Sequence, residues 1–465
     1  MITPSFTLDQ DAETVTLRAR CPYVKASEIA IHVEGAHLRI HIQPYFLSLS
    51  LPAPLVEDGR EKGEYDISSG ILTVCLPKAT PGQHFPDLDL TNTLLFGPKA
   101  PGQGLASRRD DSQMAEAESK AETDAEGEAA EEPELEIDWN ALQSMPAPFD
   151  PADAHGHGYG FMDTHAGFGS QIELLAVEVL TPHLDMGTTD VAARDQARLD
   201  FENLSFSSDY YAQDFHEDEE IQRLIAYKPS VREALKRQQA LQQRQSEPVQ
   251  AITLTEAEQA LLRKLPCKEI LHPDTTWTRR LLLGLVDMVF AMSYDQRVTE
   301  EEATVESTWT VAKLSATLSS FVVFDTLDDT LRACFRRAVT FPLYRHWRLV
   351  EAVLRDVVLH FKLGRRQLLR DLLAVQRLFD NDERTYVLNR LYIHDYVLWL
   401  QQCVTDAQIA ALASALNHYV PNKAAVGFRL DEIETMVTDA VAAGELSREA
   451  EPDSNATERA VILTD

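Results

Sequence analysis

Two different spacings of hydrophobic positions divide this chain. Within residues 1–96 apolar side chains alternate with polar or small ones in five runs: Thr14 to Ala19, Ile29 to Val33, Leu38 to Ile42, Phe46 to Leu51 and Leu72 to Leu76. A two-residue period places the apolar set on one face of a strand. Glu34-Gly35, Gln43-Pro44 and Ser69-Gly70 supply turn signals between runs. Short strands with frequent turns predict an antiparallel β-sandwich.

From about Asp200 the period lengthens, and the strongest pattern lies between Leu327 and Leu400. There Val353, Leu354, Val357, Val358 and Phe361 recur at steps of three and four, which is one face of a helix. Gly364 follows as a left-handed stop, since a residue without a Cβ takes positive φ at little cost. Leu368, Leu372, Val375 and Phe379 then mark the next helix, and Pro342 predicts a bend near Phe341. Thr255, with Glu258 three residues on, predicts a capping box for another helix. Further helices are expected from Pro229-Ser230, over Thr276 to Met292, at Ser307-Thr308-Trp309, over Asp406 to Asn417 and over Leu430 to Val441. Helix, break, helix, tight turn, helix is the layout of a packed all-α domain.

Neither period holds between the two regions. From Gly97 to about Glu136 the chain is rich in Glu and Ala and nearly free of large apolar side chains, too few to offset the entropy of ordering. This stretch reads as a disordered acidic linker, a solvated spacer in preference to a lure for a basic partner. Trp139 closes the acidic run with an aromatic ring that a spacer does not need, which points to docking on a folded domain. His155, His157 and His165 are potential metal ligands, yet they sit in a Gly-rich loop without zinc-finger spacing and read as a flexible connector. The glycines at 156, 158 and 160 neither follow a strand nor open an apolar helix, so a phosphate-binding loop is excluded. The expected plan is therefore a β-sandwich at 1–96, a disordered linker at 97–199, a helical domain at 200–445 and a frayed tail at 446–465.

The 465 residues, 44% of them hydrophobic, suffice for more than one core. Net charge sharpens the picture. At -31 the chain is unsuited to neutralising phosphates and suits a basic protein surface instead. Cys21, Cys75, Cys267, Cys334 and Cys403 form no CxxC pair and are odd in number, which is the usage of reduced thiols in an intracellular protein. The first residues lack the basic start and apolar run of a secretory signal, so export is not expected. The longest apolar stretch, around Leu281 to Met292, is interrupted by Gly284 and Asp287 and is too short to span a bilayer.

Catalytic signals are poor. No GxSxG, Walker or HExxH motif is present, and His346, His360 and His394 stand isolated among arginines or apolar residues. Asp87 and Asp89, two apart in an extended segment, read as ordinary exposed loop acids. One stretch reverses the sign of the chain. Arg332, Arg336, Arg337, Arg345, Arg348, Arg355, Lys362, Arg365, Arg366, Arg370 and Arg377 face only Glu351, Asp356 and Asp371. Internal pairing with acidic neighbouring helices is the preferred account, and a basic patch for RNA or an acidic partner is the other.

Several long segments carry a resemblance. MITPSFTLDQD, PYVKASEIAIHVEG, PYFLSLSLP, LVEDGREKGEYD and HFPDLDL resemble the CS domain of the Shq family of H/ACA ribonucleoprotein assembly chaperones, an α-crystallin-like sandwich. ESTWTVAKLS, FPLYRHWRLV, LGRRQLLRDLL and YVLNRLYIHDYVLWLQ resemble that family's helical Shq-specific domain. The resemblance implies a non-enzymatic, cofactor-free, monomeric protein of nucleus and cytoplasm. It also implies a role in which the helical domain holds dyskerin, the pseudouridine synthase of H/ACA particles, and covers an RNA-binding face until guide RNA is loaded. Neither a membrane nor a stably bound RNA is expected in that complex. Two other roles compete: direct RNA binding through the arginine-rich helices, and heat-shock co-chaperone activity through the sandwich. For partner contacts the turn after Phe379 is the candidate. Asp382 and Glu383 place charge at a helix start, and Tyr386, Asn389 and Tyr392 follow at three-residue steps as one exposed strip, with a core role for the tyrosines as the alternative.

Overall fold

The computed structural model describes residues 2–22, 24, 29–56, 60–66, 69–96, 158–165, 179–180, 191–217, 219–244 and 252–443. Among the described residues seven antiparallel strands form two sheets. β1 (Ser5–Gln10), β2 (Thr14–Arg20), β7 (Ile71–Pro77) and β6 (Lys62–Asp66) pair in the order β1-β2-β7-β6, and β3 (Ala30–Glu34), β4 (His37–Ile42) and β5 (Tyr45–Ser50) make the second sheet. The alternation is explicit in the core: Val15, Leu17 and Ala19 of β2 meet Leu72, Val74 and Leu76 of β7 across the ladder, and Leu38, Ile40, Leu47 and Leu49 close the other side. β1 and β6 escaped the pattern because each is an edge strand with few apolar side chains, Phe6 and Leu8 in one and Tyr65 in the other.

After α1 (Thr91–Phe96) the described chain resumes at Gly158 and builds the helical body. Its helices are α2 (Val191–Ser205), α3 (Ser208–His216), α4 (Glu219–Ala226), α5 (Ser230–Arg244), α6 (Glu256–Lys264), α7 (Thr275–Val298), α8 (Ser307–Leu314) and α9 (Ala316–Ser319). Then follow α10 (Leu327–Ala338), α11 (Trp347–Leu363), α12 (Arg365–Asp380), α13 (Tyr386–Leu388), α14 (His394–Gln402), α15 (Asp406–His418) and α16 (Leu430–Ala442), with a π-helical turn at Asn389–Ile393. Gly364, at φ 89°, ends α11 and opens α12 as its residue type dictates. The Thr255 capping box forms as the spacing predicts. The bend at Pro342 also forms, although α11 starts five residues later, where the His346 ring accepts from the Arg348 backbone N–H.

The interruptions in the apolar helix α7 have structural causes. Gly284 lies against the Tyr396 hydroxyl, which leaves no room for a Cβ. Asp287, wholly buried, accepts from Ser315 Oγ at 2.5 Å and from the Thr317 backbone N–H at 2.9 Å, so it caps the short helix α9 from across the core.

Two expected boundaries are corrected. The helical body starts nine residues before residue 200, with α2, whose Arg194 donates to the Gly158 carbonyl at 3.0 Å. Residues 158–165, expected to be linker, belong to the body's core. Tyr159 and Phe161 are buried there, Phe161 meeting the Tyr396 ring edge-on at 5.1 Å and Tyr159 stacking on Phe321. Burial of two aromatic rings offsets the ordering cost that the surrounding glycines impose. Residues 97–157, with Trp139, His155 and His157, and the tail at 446–465 lie outside the described residues.

Candidate partner-binding surface

The arginine-rich stretch resolves into two populations. Arg336 and Arg337, neighbours on α10, converge on Glu202 of α2 at 2.7 Å and 3.2 Å, and Arg198 joins from the same helix at 2.8 Å. Burial alone would raise the Glu202 carboxyl, and the surrounding guanidiniums hold it below the ordinary value instead. Arg337 also donates to the Lys313 carbonyl and to Ser319 Oγ. Burial, with Arg337 as a like-charged neighbour, pushes Lys313 down to about 7. Arg345 pairs with Asp214, Arg370 with Glu258 and Arg332 with Asp329. Just outside the stretch, Arg297 binds Asp356 through two bonds of 2.6 Å and 2.8 Å in the core. Arg348, Arg355, Lys362 and Arg377 are exposed. Internal pairing therefore accounts for most of the cations, and three of those left outside, Arg348, Arg355 and Lys362, lie on α11.

Arg365 and Arg366 do something that the linear pattern did not predict. Asp87 receives Arg365 Nη2 at 2.7 Å and Arg366 Nη1 at 2.8 Å, and Asp89 receives Arg366 through bonds of 2.9 Å and 2.5 Å. The two aspartates are thus a clasp between sandwich and helical body, which corrects their reading as ordinary exposed acids. Asp87 has φ 58°, a left-handed conformation, so the segment is not extended and both carboxylates turn the same way. Leu90 is buried in the helical core, and Thr93 Oγ1 donates to the Gln401 carbonyl at 3.0 Å. Charge-assisted, bidentate and largely buried, this is the strong class of polar contact.

The strip after Phe379 is only partly a surface. Glu383 and Tyr386 are exposed; Asp382 bonds both the backbone N–H and the guanidinium of Arg384. Burial acts to raise the Asp382 carboxyl, and Arg384 outweighs it and holds the group low. Asn389 and Tyr392, expected to extend the strip, are buried: Asn389 donates to the Gln376 carbonyl and to Asp380, and Tyr392 stacks on Phe321 at 5.8 Å. Each three-residue step leaves the wheel about 60° short of a full turn. Two steps therefore carry Tyr392 well round from Tyr386, and the π-helical turn at Asn389–Ile393 rotates the chain further.

A second exposed region is predominantly acidic. Glu217, Glu219 and Glu220 at the start of α4 and Glu300, Glu302 and Glu306 in the loop after α7 are all exposed, and Arg223 bridges the two groups at 2.6 Å to Glu220 and 3.4 Å to Glu300. Glu301 in the same loop accepts from the Ser230 backbone N–H at 2.7 Å and so caps α5. The triple Glu300-Glu301-Glu302 was the available signal for this edge, but a charge run shows nothing of the helix start that lies beside it.

The isolated histidines pack, as expected. His346 stacks on Phe215 at 5.8 Å, and the buried His360 pairs with Asp371 at 2.7 Å. Among the described residues no group of three or more His, Cys, Asp or Glu is placed to hold a metal ion, and no helix is long and apolar enough to cross a membrane.

Comparison with known proteins agrees with this architecture. Residues 3–95 match the family description SHQ1-like, CS domain, and residues 243–430 match SHQ1 protein, Shq1 domain. The chain is 36% identical over 442 residues to Protein SHQ1 homolog of Mus musculus, covering 93% of this chain and 75% of that one. It is 32% identical to Protein shq1 of Schizosaccharomyces pombe, covering 97% and 99% respectively. With Protein SHQ1 homolog of Caenorhabditis elegans it shares 28% identity over 98% of this chain and 100% of that one.

Proposed function

The chain belongs to the SHQ1 family, and from that premise we propose that it is a non-enzymatic assembly chaperone for H/ACA ribonucleoproteins, acting in nucleus and cytoplasm. Its client is a dyskerin-type pseudouridine synthase. The chaperone binds that enzyme before RNA is loaded, covers its RNA-binding surface as a placeholder, and leaves when guide RNA arrives. The observation that supports this reading beyond family membership is the internal use of the arginines. Arg336, Arg337, Arg345, Arg365, Arg366 and Arg370 are matched to carboxylates within the fold, while the edge around Glu217, Glu220, Glu300 and Glu306 faces outward. A surface of that sign competes with phosphates for a basic protein face. Asp382, Glu383 and Tyr386 remain the proposed contacts on the helical body, since Asn389 and Tyr392 are out of reach of a partner.

The test is a competition with the full chain. Purified protein should retain a dyskerin-type pseudouridine synthase without RNA, lose it on addition of guide RNA, and bind it less well as salt rises. A complex that guide RNA does not displace would remove the placeholder mechanism. Binding of structured RNA by the chain alone at low salt would favour the direct RNA-binding role instead.

A further inference from the structure

A groove of about 640 Å³ runs between α5, α11 and α15. Its floor is apolar: Phe361 and Leu363 from the end of α11, Ile409 and Ala413 from α15, and Ile252 from the approach to α6. Small side chains on α15 leave space for a ring. The rim carries Lys362, whose ammonium donates to the neutral amide oxygen of Asn417 at 2.6 Å. Lys362 is the last member of a stripe. Arg348, Arg355 and Lys362 stand seven residues apart on α11, all exposed, and among the described residues none has a carboxylate within ion-pair distance. Seven residues is close to two turns, so the three cations line one side of the helix over roughly 20 Å. This contrasts with their neighbours, which nearly all pair within the fold. Only Lys362 of the three lines the groove itself, whose carboxylates Asp87 and Asp406 are engaged by Arg365 and Arg366. An apolar trough at the end of a cationic stripe fits an acidic amphipathic segment.

The chain contains such a segment. In residues 134–145 Leu135, Trp139 and Leu142 follow at steps of four and three in the sequence, and Glu134, Glu136 and Asp138 interleave with them, an acidic amphipathic pattern. Geometry permits the approach. Asp87 lies on the groove rim, a few residues before the sandwich ends at Phe96. From Phe96 roughly 40 residues lead to Trp139 and about 20 lead on to Gly158, tethers that extend to more than ~50 Å on either side. Tethering raises the local concentration of the segment, so modest contacts suffice to seat it.

We propose that residues 134–145 dock into the groove between α5, α11 and α15, with Trp139 on the apolar floor and the acidic side chains along Arg348, Arg355 and Lys362. The acidic linker is then held against the helical body at a defined place, and its carboxylates neutralise the last cations of α11.

The test uses the full chain with p-benzoylphenylalanine in place of Trp139. Irradiation should give intramolecular cross-links to peptides bearing Leu363, Ile409 or Ala413. The paired reversals Arg355→Glu and Lys362→Glu, both at exposed positions, should cut that yield about tenfold without changing the circular dichroism. Cross-links elsewhere, cross-links between chains, or a yield indifferent to the reversals would overturn the proposal. As a second measurement, a fluorescent peptide of residues 131–149 should bind the full-length W139A chain at least fivefold more tightly than the unaltered chain, whose groove is occupied. Equal affinity for the two chains, or no binding to either, would also overturn it.

Discussion

The sandwich and the helical body solve the problem of burial with different chemistry. The sandwich core is apolar nearly throughout. Its buried cation, Lys78, sits among Gln10 Oε1 and the carbonyls of Asp11 and Gln83 at 2.7 to 2.9 Å, bonded without a buried carboxylate partner. The helical body instead encloses charges that find opposite charges, as Glu202 does with Arg198, Arg336 and Arg337, Arg297 with Asp356, and His360 with Asp371. A sheet face is satisfied by period alone, because its backbone groups pair along the ladder and its side chains need only be apolar. A body of many short helices leaves loop carbonyls and helix ends inside. Arg297, for instance, donates to the carbonyls of Leu224, Ile225 and Tyr227 at the end of α4. Buried ion pairs with spare donors serve that purpose, and they tie helices from distant parts of the chain into one arrangement.

The most severe break in this contrast is Glu202→Ala, which leaves Arg336 and Arg337 without their carboxylate and Arg198 with Asp195 alone. Denaturant unfolding should show a loss of about 3–5 kcal/mol in the helical transition, with the midpoint of the sandwich transition unchanged. A loss below about 1 kcal/mol would mean that the cluster is not what holds α2 to α10.

Phe161→Ala comes next and asks where the helical body begins. Removing this buried ring should cost about 3 kcal/mol in the helical transition, a core effect that a linker residue would not produce.

Arg366→Ala acts at the seam between the two regions. With Asp89 left facing a gap and Asp87 held by Arg365 alone, docking should weaken by about 1.5–3 kcal/mol, read as a broader small-angle scattering distance distribution while the midpoint of the sandwich stays put. An unchanged distribution would show that Leu90 and Thr93 hold the seam without the clasp.

The remaining change, smallest in effect per pH unit, sharpens the comparison through pH. Lys313 titrates near 7 in the folded body and at 10.5 in the unfolded chain, so between those values the unfolded state holds more protons and stability rises with pH. The slope is at most about 1.4 kcal/mol per pH unit. Lys313→Met should abolish that slope between about pH 7 and 10.5 and leave the lower range unaffected.

The partner strip shows where legibility stopped within the candidate site. Glu383 and Tyr386 are surface residues as the spacing suggested, whereas Asn389 and Tyr392 lie in the core. Three-residue spacing is compatible with either, because successive steps drift round the helix and a π-helical turn is invisible in the pattern. The clasp escaped for another reason. Asp87 looks unremarkable beside Leu88 until its left-handed backbone and two arginines from a remote helix are known.

What the amino-acid sequence alone determined here is which residues face inward along each element: the two-residue runs of β2, β4, β5 and β7, the helical faces of α11 and α12, the stop at Gly364 and the capping box at Thr255. Those features depend on neighbours within one or two turns, so local order contains them. Only the tertiary structure decided which charge meets which, how early the helical body starts, and that Asp87 and Asp89 join the two regions. Such pairings link residues more than a hundred positions apart, and a charged side chain has the same spacing signature whether its partner is water or a buried carboxylate.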